Sequence, residues 1–308
     1  MNDEDLNKLY ISDDVHDIIK FYDSFDDKEE IIDWMKRRPS MKPNLVEINK
    51  DADNYAIVVI PTINSNGKWL KNDKEIFEGL HIIFAENPDK KPNPYFNYSF
   101  SVNTGIEKAL EYNPKWIIVS NDDMFKIDNI SKLIKELKES ENYDTLLFPN
   151  SNAYSNNLVM AKPNLINLYR IFFYSGYKRN FKRIGNKFKL KFEVLDIKNR
   201  SKIYKKIMYK IIYNQKIILR HHQGYFPVVN ANFIRSMGRK LFNDTFINGY
   251  EDIWLYYRYL QNCNFKLSDF NIGIYIGSSL GNGKNRWFRT IANEIYFEQL
   301  LEAYQNEK

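Results

Sequence analysis

The chain has 308 residues and a formal net charge of +6, with 44% hydrophobic and 27% charged residues. This length can bury a sizeable core, in one large α/β domain or in two smaller ones. The single Cys263 excludes an intrachain disulfide and any metal site built from cysteines. No apolar run reaches the ~18 residues that cross a bilayer, and the N-terminus is acidic, unlike a signal peptide. We therefore expect a cytoplasmic protein.

The first 50 residues predict a helical arm that packs on the main domain. Apolar residues recur at helical spacing within 15–22 and again within 31–35. Pro39 and Pro43 then end the second helix, because proline cannot continue one. We identify no chemistry in this arm.

The next hundred residues alternate between strand and helix patterns. Apolar runs at 55–60, 80–84 and 116–119 predict three strands, separated by helical patterns at 72–80 and 99–112. This alternation predicts a parallel, right-handed α/β unit. In such sheets, ligands bind beyond the carboxyl ends of the strands.

The third predicted strand runs directly into Asn121, Asp122 and Asp123. Two carboxylates at a strand end can coordinate a hard divalent cation, which in turn binds phosphate oxygens. The alternative is that these acids only start a turn and cap the next helix. The residues that end the other two strands are Pro61, Thr62 and Asn64 for the first, and Glu86 and Asn87 for the second.

A second acidic pair, Glu251 and Asp252, stands at the start of an apolar helical run that reaches Leu260. Acids also stabilise helix N-termini through the helix dipole, so the pair alone has a structural explanation. The glycine-rich segment 277–283 that follows is a loop that could close over a ligand.

The positive charge is concentrated in residues 168–222, which carry 16 Lys and Arg against Glu193 and Asp196. Within this segment, 201–213 predicts an amphipathic basic helix. The segment could lie on an anionic membrane surface, bind a nucleic acid backbone, or cover an anionic substrate. Nucleic acid is the least favoured of these partners, because no nucleic-acid-binding motif accompanies the charge.

Taken together, these features resemble the inverting glycosyltransferases of family 2, which have the GT-A fold. In that family a Pro-Thr-x-Asn-like turn, an acidic or amide pair, an Asn-x-Gly helix, an Asp-x-Asp-type motif and a Gly-x-Glu-Asp helix start follow one another. The matching segments are Pro61-Thr62-Ile63-Asn64, Glu86-Asn87, Asn103-Thr104-Gly105 with Ala109, Asn121-Asp122-Asp123, and Gly249-Tyr250-Glu251-Asp252 with Arg258. The resemblance covers residues 55–150 and 224–282.

The resemblance implies a GT-A-type nucleotide-diphospho-sugar transferase fold, with a mostly parallel central sheet flanked by helices. To this fold we add the N-terminal helical arm and a basic helical insertion. The expected domains are the arm at 1–50, a nucleotide-sugar-binding half at 51–150, an acceptor-binding half at 151–283 that includes 168–222, and a C-terminal helix at 284–308.

The resemblance also implies roles for particular residues. Asp122 and Asp123 would bind Mg²⁺ or Mn²⁺, and Asp252 would be the general base with Glu251 beside it. The expected nucleotide-sugar contacts are Pro61, Thr62, Asn64, Glu86, Asn87, Asn103 and Asp122. The sequence departs from the family at Trp254, where a second acid often stands, and in the loop 273–279, which lacks the histidine that many members use as a metal ligand.

The function that we expect is transfer of a sugar from a UDP-, GDP- or dTDP-linked donor to the hydroxyl of a glycan or lipid-linked acceptor. The displacement would be metal-assisted and inverting. One alternative is a sugar nucleotidyltransferase, but that class needs a glycine-rich, arginine-bearing loop, which 61–67 lacks. The other is a non-catalytic protein of this fold whose basic segment binds membrane or nucleic acid.

Overall fold

The structure is a computed structural model, which describes residues 3–11, 28–90, 95–147, 157–161, 178–184, 187–193, 216–220, 224–275 and 286–306. The helices are α1 (Asp3–Ile11), α2 (Lys28–Arg37), α3 (Leu70–Ile76), α4 (Tyr98–Leu110), α5 (Ile130–Lys138), α6 (Ala231–Ser236), α7 (Glu251–Arg258) and α8 (Arg286–Asn306). The strands are β1 (Asn44–Ile48), β2 (Ala56–Thr62), β3 (His81–Glu86), β4 (Trp116–Val119), β5 (Met124–Lys126), β6 (Thr145–Leu147), β7 (Asn157–Ala161), β8 (Lys178–Ile184), β9 (Lys187–Glu193), β10 (Lys216–Arg220), β11 (Val228–Asn230), β12 (Phe265–Leu267) and β13 (Ile272–Ile274).

Seven strands form the central sheet, in the order β1-β3-β2-β4-β11-β6-β12. The three predicted strands β3, β2 and β4 are parallel neighbours at its centre. Strand β11 runs antiparallel between β4 and β6, and β12 is parallel to β6. The predicted α/β architecture is therefore confirmed, and the sheet is mixed, with a parallel centre.

Helices cover both faces of this sheet. Alternate residues of β2 point to opposite faces, so that Ala56, Val58 and Ile60 join one apolar cluster and Ile57 and Val59 join another. The first cluster also contains residues of α3, α5, β5 and β13. The second contains residues of α4, α6 and α7. The strand ends therefore lie between two helical layers.

The N-terminal arm differs from its prediction in two places, and the first is helix α1 at 3–11, which the apolar spacing did not indicate. Helix α2 forms as predicted, and its Ile31, Ile32 and Met35 are buried. However, 44–48 is not helical, because β1 pairs antiparallel with β3 at the edge of the main sheet. The predicted helix over 15–22 lies outside the described residues.

A third apolar cluster joins the arm to the C-terminal helix. It contains residues of α1, α2 and α8, together with Trp254 of α7. The Trp254 ring meets the rings of Phe297 and Tyr304 edge-on, with centroids 6.1 and 6.3 Å away. Trp254, which departs from the family pattern, is thus a core residue here.

The basic segment is not helical where the structure describes it. Strands β8 and β9 form an antiparallel hairpin, and β10 pairs with β7. The prediction of a helical insertion is therefore wrong for these strands, and 201–213 lies outside the described residues. The physical reason is visible at 187–193, where charged and apolar residues alternate with the two-residue period of a strand.

Among the described helices, none combines the length and the apolar character that a membrane-spanning segment requires.

Candidate functional site

The carboxyl ends of β2, β3 and β4 meet at one edge of the sheet, as predicted. The Thr62 hydroxyl donates a 2.6 Å hydrogen bond to Oδ2 of Asp122. The Asn87 backbone N–H donates to the carbonyl oxygen of Thr62 at 3.0 Å, and Thr62 lies opposite Glu86 in the strand register. The structure thus brings together four of the predicted site residues.

Glu86 and Asn64 shape the loop that follows β2. The buried Glu86 carboxylate accepts hydrogen bonds from the backbone N–H of Ser65 at 2.7 Å and from its hydroxyl at 2.8 Å. The side chain of Asn64 accepts from the N–H of Asn66 at 2.9 Å. Pro61, the last predicted residue here, is buried within β2. These contacts fix the loop, and they leave Glu86 with little surface for a ligand.

Asp123 is almost wholly buried at this edge, with 3% of its surface exposed. Burial, and then the charge of Asp122, raise its pKa to about 6. Its Oδ1 has no hydrogen-bond partner in the described part of the chain. Burial also raises the pKa of Asp122, although the Thr62 hydroxyl and the charge of Lys68 oppose that rise.

A third carboxylate, which the sequence did not reveal, faces the same edge. Asp73 of α3 is 1% exposed, and its Oδ1 likewise lacks a partner among the described residues. Burial, followed by the charges of Asp122 and Asp123, raises its pKa to about 8. The available signal was its spacing from Ile76 and Phe77, which places an acid on the apolar face of a short helix.

The second predicted acidic pair begins α7. Tyr250, which precedes it, has a left-handed backbone with φ of 73°. The carboxylate of Asp252 accepts from the N–H of Ile253 at 2.8 Å and from the N–H of Gly224 at 3.3 Å. Glu251 is buried, and burial together with the charge of Asp252 raises its pKa. Its Oε2 has no partner within the described ranges.

Tyr98, at the start of α4, links the two acidic pairs. Its hydroxyl donates a 2.5 Å hydrogen bond to the carbonyl oxygen of Gly224, the residue whose N–H donates to Asp252. Burial raises the pKa of Tyr98 well above its usual value, and the charges of Glu251, Asp252, Asp123 and Asp122 raise it further. Acids that are distant in sequence therefore lie around one side chain. Sequence reasoning missed this tyrosine.

Asn103, for which the resemblance implied a nucleotide contact, forms hydrogen bonds with segment 241–244. Its amide nitrogen donates to the carbonyl oxygen of Phe242 at 2.8 Å and to the carboxylate of Asp244. Its amide oxygen accepts from the N–H groups of Leu241 and Phe242 at 2.9 and 3.1 Å. These bonds use the whole hydrogen-bonding capacity of the side chain, which thereby holds segment 241–244.

The carboxylates do not by themselves complete a metal site. Within the described ranges, no three His, Cys, Asp or Glu side chains are placed to hold an ion together. The pair Asp122 and Asp123 still offers hard oxygen ligands, one of them unpartnered. Mg²⁺ is commonly held by one or two carboxylates while substrate phosphates and water supply its other ligands. The pair therefore fits an ion that binds together with a phosphate-bearing ligand.

Comparison with known proteins identifies no family for this chain. No family model matches it, and no curated protein matches it. Among solved structures, the chain is similar to the crystal structure of A197 from STIV, with a TM-score of 0.35 and 12% sequence identity. That similarity covers 69% of this chain and 80% of the other, and at this level it bears on neither activity nor ligand.

Proposed function

We propose that this protein is a GT-A-type glycosyltransferase that moves a sugar from a nucleoside-diphosphate donor to an acceptor hydroxyl with inversion. The observation that carries the proposal is the convergence of two acidic pairs near Tyr98. The backbone of Gly224 bonds to Tyr98 and Asp252, and the carbonyl oxygen of the adjacent Tyr225 accepts a 2.9 Å hydrogen bond from the N–H of Asn121, next to Asp122. One pair lies at a strand end, where α/β sheets bind ligands, and the other begins a helix. Sugar transfer requires one group that stabilises the leaving group and another that acts as a general base. We assign the first role to the pair at the strand end and the second to the pair at the helix start.

Unpartnered acceptor atoms around the two acidic pairs favour the binding of a polar ligand. The buried oxygens without a hydrogen-bond donor among the described residues include those of Asp73, Asn121, Asp123 and Glu251. An unsatisfied buried polar atom costs about 1–3 kcal/mol. Sugar hydroxyls or a cation would satisfy these atoms on binding.

We assign the role of general base to Asp252. The N–H of Gly224 positions its carboxylate, which takes the proton of the acceptor hydroxyl as that oxygen attacks the anomeric carbon. A new glycosidic C–O bond forms, and the bond from the anomeric carbon to the phosphate oxygen breaks with its electron pair on the phosphate. Since the pKa of Glu251 is raised, this neighbour holds its proton more readily and limits the negative charge beside the base.

We assign the leaving-group side to Asp122 and Asp123. Mg²⁺ or Mn²⁺ held by these residues would neutralise the charge that develops on the departing diphosphate. Thr62 orients Asp122 through its hydrogen bond. The acceptor that we propose is a glycan or a lipid-linked glycan, reached at an anionic membrane surface through segment 168–222.

The first test is a thermal-shift panel of UDP-, GDP- and dTDP-sugars, each with and without Mn²⁺. A ligand that binds only the folded state must raise the melting temperature. We expect a manganese-dependent shift for one nucleotide, lost in Asp123→Asn and kept in Asp51→Asn, which changes an exposed acid of the same kind. The absence of a shift for every donor would contradict the proposal.

The second test measures release of nucleoside diphosphate from the donor that gives the shift. Loss of a general base typically lowers the rate about 10²- to 10⁴-fold. We expect Asp252→Asn to lose activity to this extent while it keeps the manganese-dependent shift. An Asp252→Asn variant that turns over at the rate of the unmodified protein would exclude Asp252 as the base.

A further inference from the structure

A pair of stacked aromatic rings lies at the rim of the acidic edge. The rings of Trp69 and Tyr275 have centroids 5.1 Å apart and planes at 26°, and Phe125 also contacts Tyr275, at 5.0 Å between centroids. Gly273 lies opposite Phe125 in the pairing of β13 with β5. A Cβ atom at Gly273 would approach the Phe125 ring to 2.1 Å. The backbone of β13 is therefore held closely against the rings.

Backbone hydrogen bonds connect this pair to the buried acids. The N–H of Tyr275 donates to the carbonyl oxygen of Asp123 at 2.9 Å, and the N–H of Asp73 donates to the carbonyl oxygen of Trp69 at 3.0 Å. Tyr275 nevertheless keeps 43% of its surface exposed. A partly exposed aromatic surface beside a set of carboxylates is typical of a ligand site rather than of a core.

Lys68 adds a positive charge to this surface. Its ammonium lies 4.2 Å from the centroid of the Trp69 ring, and its charge favours the ionised forms of Asp122 and Asp123. The side chain is exposed, and it forms no salt bridge within the described part of the chain. Lys68 is therefore free to meet an anionic group at the same edge.

The elements next to the aromatic pair and the helix that carries the proposed general base pack on different faces of the sheet. Helix α3, β5 and β13 pack on one face of the sheet, whereas α4 and α7 pack on the other. In an in-line displacement the attacking hydroxyl and the leaving group are on opposite sides of the anomeric carbon. With Asp252 on the α7 side, the leaving group belongs on the side of Lys68.

We propose that Lys68, Trp69 and Tyr275 form the subsite for the nucleoside diphosphate of the donor. The nucleotide base would lie against the aromatic pair, and a phosphate would contact the ammonium of Lys68. This inference rests on the proposed function and deepens it. A flat base stacks on aromatic side chains, and an ammonium binds phosphate oxygens as a point charge. A neutral acceptor sugar would need the rings but not the lysine.

The geometry of Glu86 supports this assignment. The resemblance implied nucleotide-sugar contacts for Glu86 and Asn87, yet each of these residues is only 2% exposed. The Oε1 atom of Glu86 accepts both hydrogen bonds from Ser65, and Lys90 lies 3.6 Å from Oε2. Glu86 thus holds the loop that leads to Trp69, and the nucleotide base needs another surface.

The test is calorimetric titration of the full chain with UDP, GDP, dTDP and pyrophosphate, each in the presence of Mn²⁺. We expect Trp69→Leu and Tyr275→Leu to weaken nucleoside diphosphate binding about 10- to 100-fold and to leave pyrophosphate binding within about twofold. We expect Lys68→Gln to weaken both kinds of ligand by about tenfold. Trp69→Phe, which keeps a ring, should retain most of the affinity and guards against a loss of folding in Trp69→Leu.

Matched controls are Tyr259→Leu, at another exposed aromatic residue, and Lys71→Gln, at an exposed lysine of α3. Both should bind like the unmodified protein. If the aromatic variants bind nucleoside diphosphates normally while Asp123→Asn does not, the inference is wrong and the proposed function stands. If the unmodified protein binds no nucleoside diphosphate, both are wrong.

Discussion

The hydroxyl of Thr62 donates a 2.6 Å hydrogen bond to Oδ2 of Asp122, and this bond ties the end of β2 to the end of β4. A hydrogen bond to a carboxylate favours its ionised form, so Thr62 opposes the effect that burial has on the pKa of Asp122. The bond therefore favours the charged form of a buried acid at the place where a cation would bind.

Replacement of Thr62 by valine should destabilise the protein and weaken metal-dependent binding. Valine keeps the shape but removes the donor, which leaves a partly buried carboxylate oxygen unpaired at a cost of about 1–3 kcal/mol. Urea unfolding at pH 7 measures this loss. Thr62→Ser keeps the hydroxyl and should retain most of the stability, whereas equal losses in both variants would show that the methyl group matters as much as the bond.

Replacement of Asn103 by alanine should lower stability without changing nucleotide affinity. The variant loses four hydrogen bonds to segment 241–244, and we expect the free energy of unfolding to fall by at least about 2 kcal/mol. The neighbouring Thr104→Ala removes one hydrogen bond, to the carbonyl oxygen of Phe100, and should cost about 1 kcal/mol. A stable Asn103→Ala variant with weakened nucleotide binding would support the direct contact that the resemblance implied.

Replacement of Asp73 by asparagine should change how stability depends on pH. The pKa of Asp73 is about 8 in the folded protein against a usual value of 3.8, so between these pH values the folded state keeps a proton that the unfolded state releases. Its contribution to the free energy of unfolding is complete below the unfolded pKa and falls as pH rises, by up to about 1.4 kcal/mol per pH unit. Asparagine does not titrate.

The difference between the melting temperature of Asp73→Asn and that of the unmodified protein should therefore change in favour of the variant as the pH rises from 5 to 8. Both melting temperatures are measured with a chelator present. Asp123 and Glu251 also have raised pKa values, so the variant should keep part of the pH dependence. Asp51→Asn serves as the control, because it changes an exposed acid. Parallel curves for Asp73→Asn and the unmodified protein would contradict the pKa shift.

Replacement of Gly105 by alanine should destabilise the contact between α4 and β2. The added Cβ would lie 2.4 Å from Cγ1 of Val59, and overpacking of this kind costs about 1–3 kcal/mol. Val59→Ala removes the clashing methyl group, so the double variant should be more stable than the sum of the two single changes predicts. Strictly additive losses would show that α4 shifts to accommodate the methyl group.

The centre of the fold could be predicted from the sequence, because its strands are short apolar runs with clear ends. The carboxyl ends of parallel neighbours meet at one edge, so Thr62, Asp122 and Asp123 could be grouped before their distances were known. Residues 187–193 of the β8–β9 hairpin alternate with the two-residue period of a strand, but the prediction of a helical insertion rested on the apolar spacing at 201–213. Strand β1 carried a weaker signal, since only five residues form it.

The tertiary structure alone decided which other side chains belong to the site. Asp73, Tyr98 and Tyr275 come from separate parts of the chain, and nothing in their local patterns indicates that they lie near the same strand end. Their burial and charge interactions depend on distances in space, which are set when helices pack on the two faces of the sheet. Composition and periodicity thus determined the strands and the edge where they end, whereas packing between distant segments determined which charges meet there.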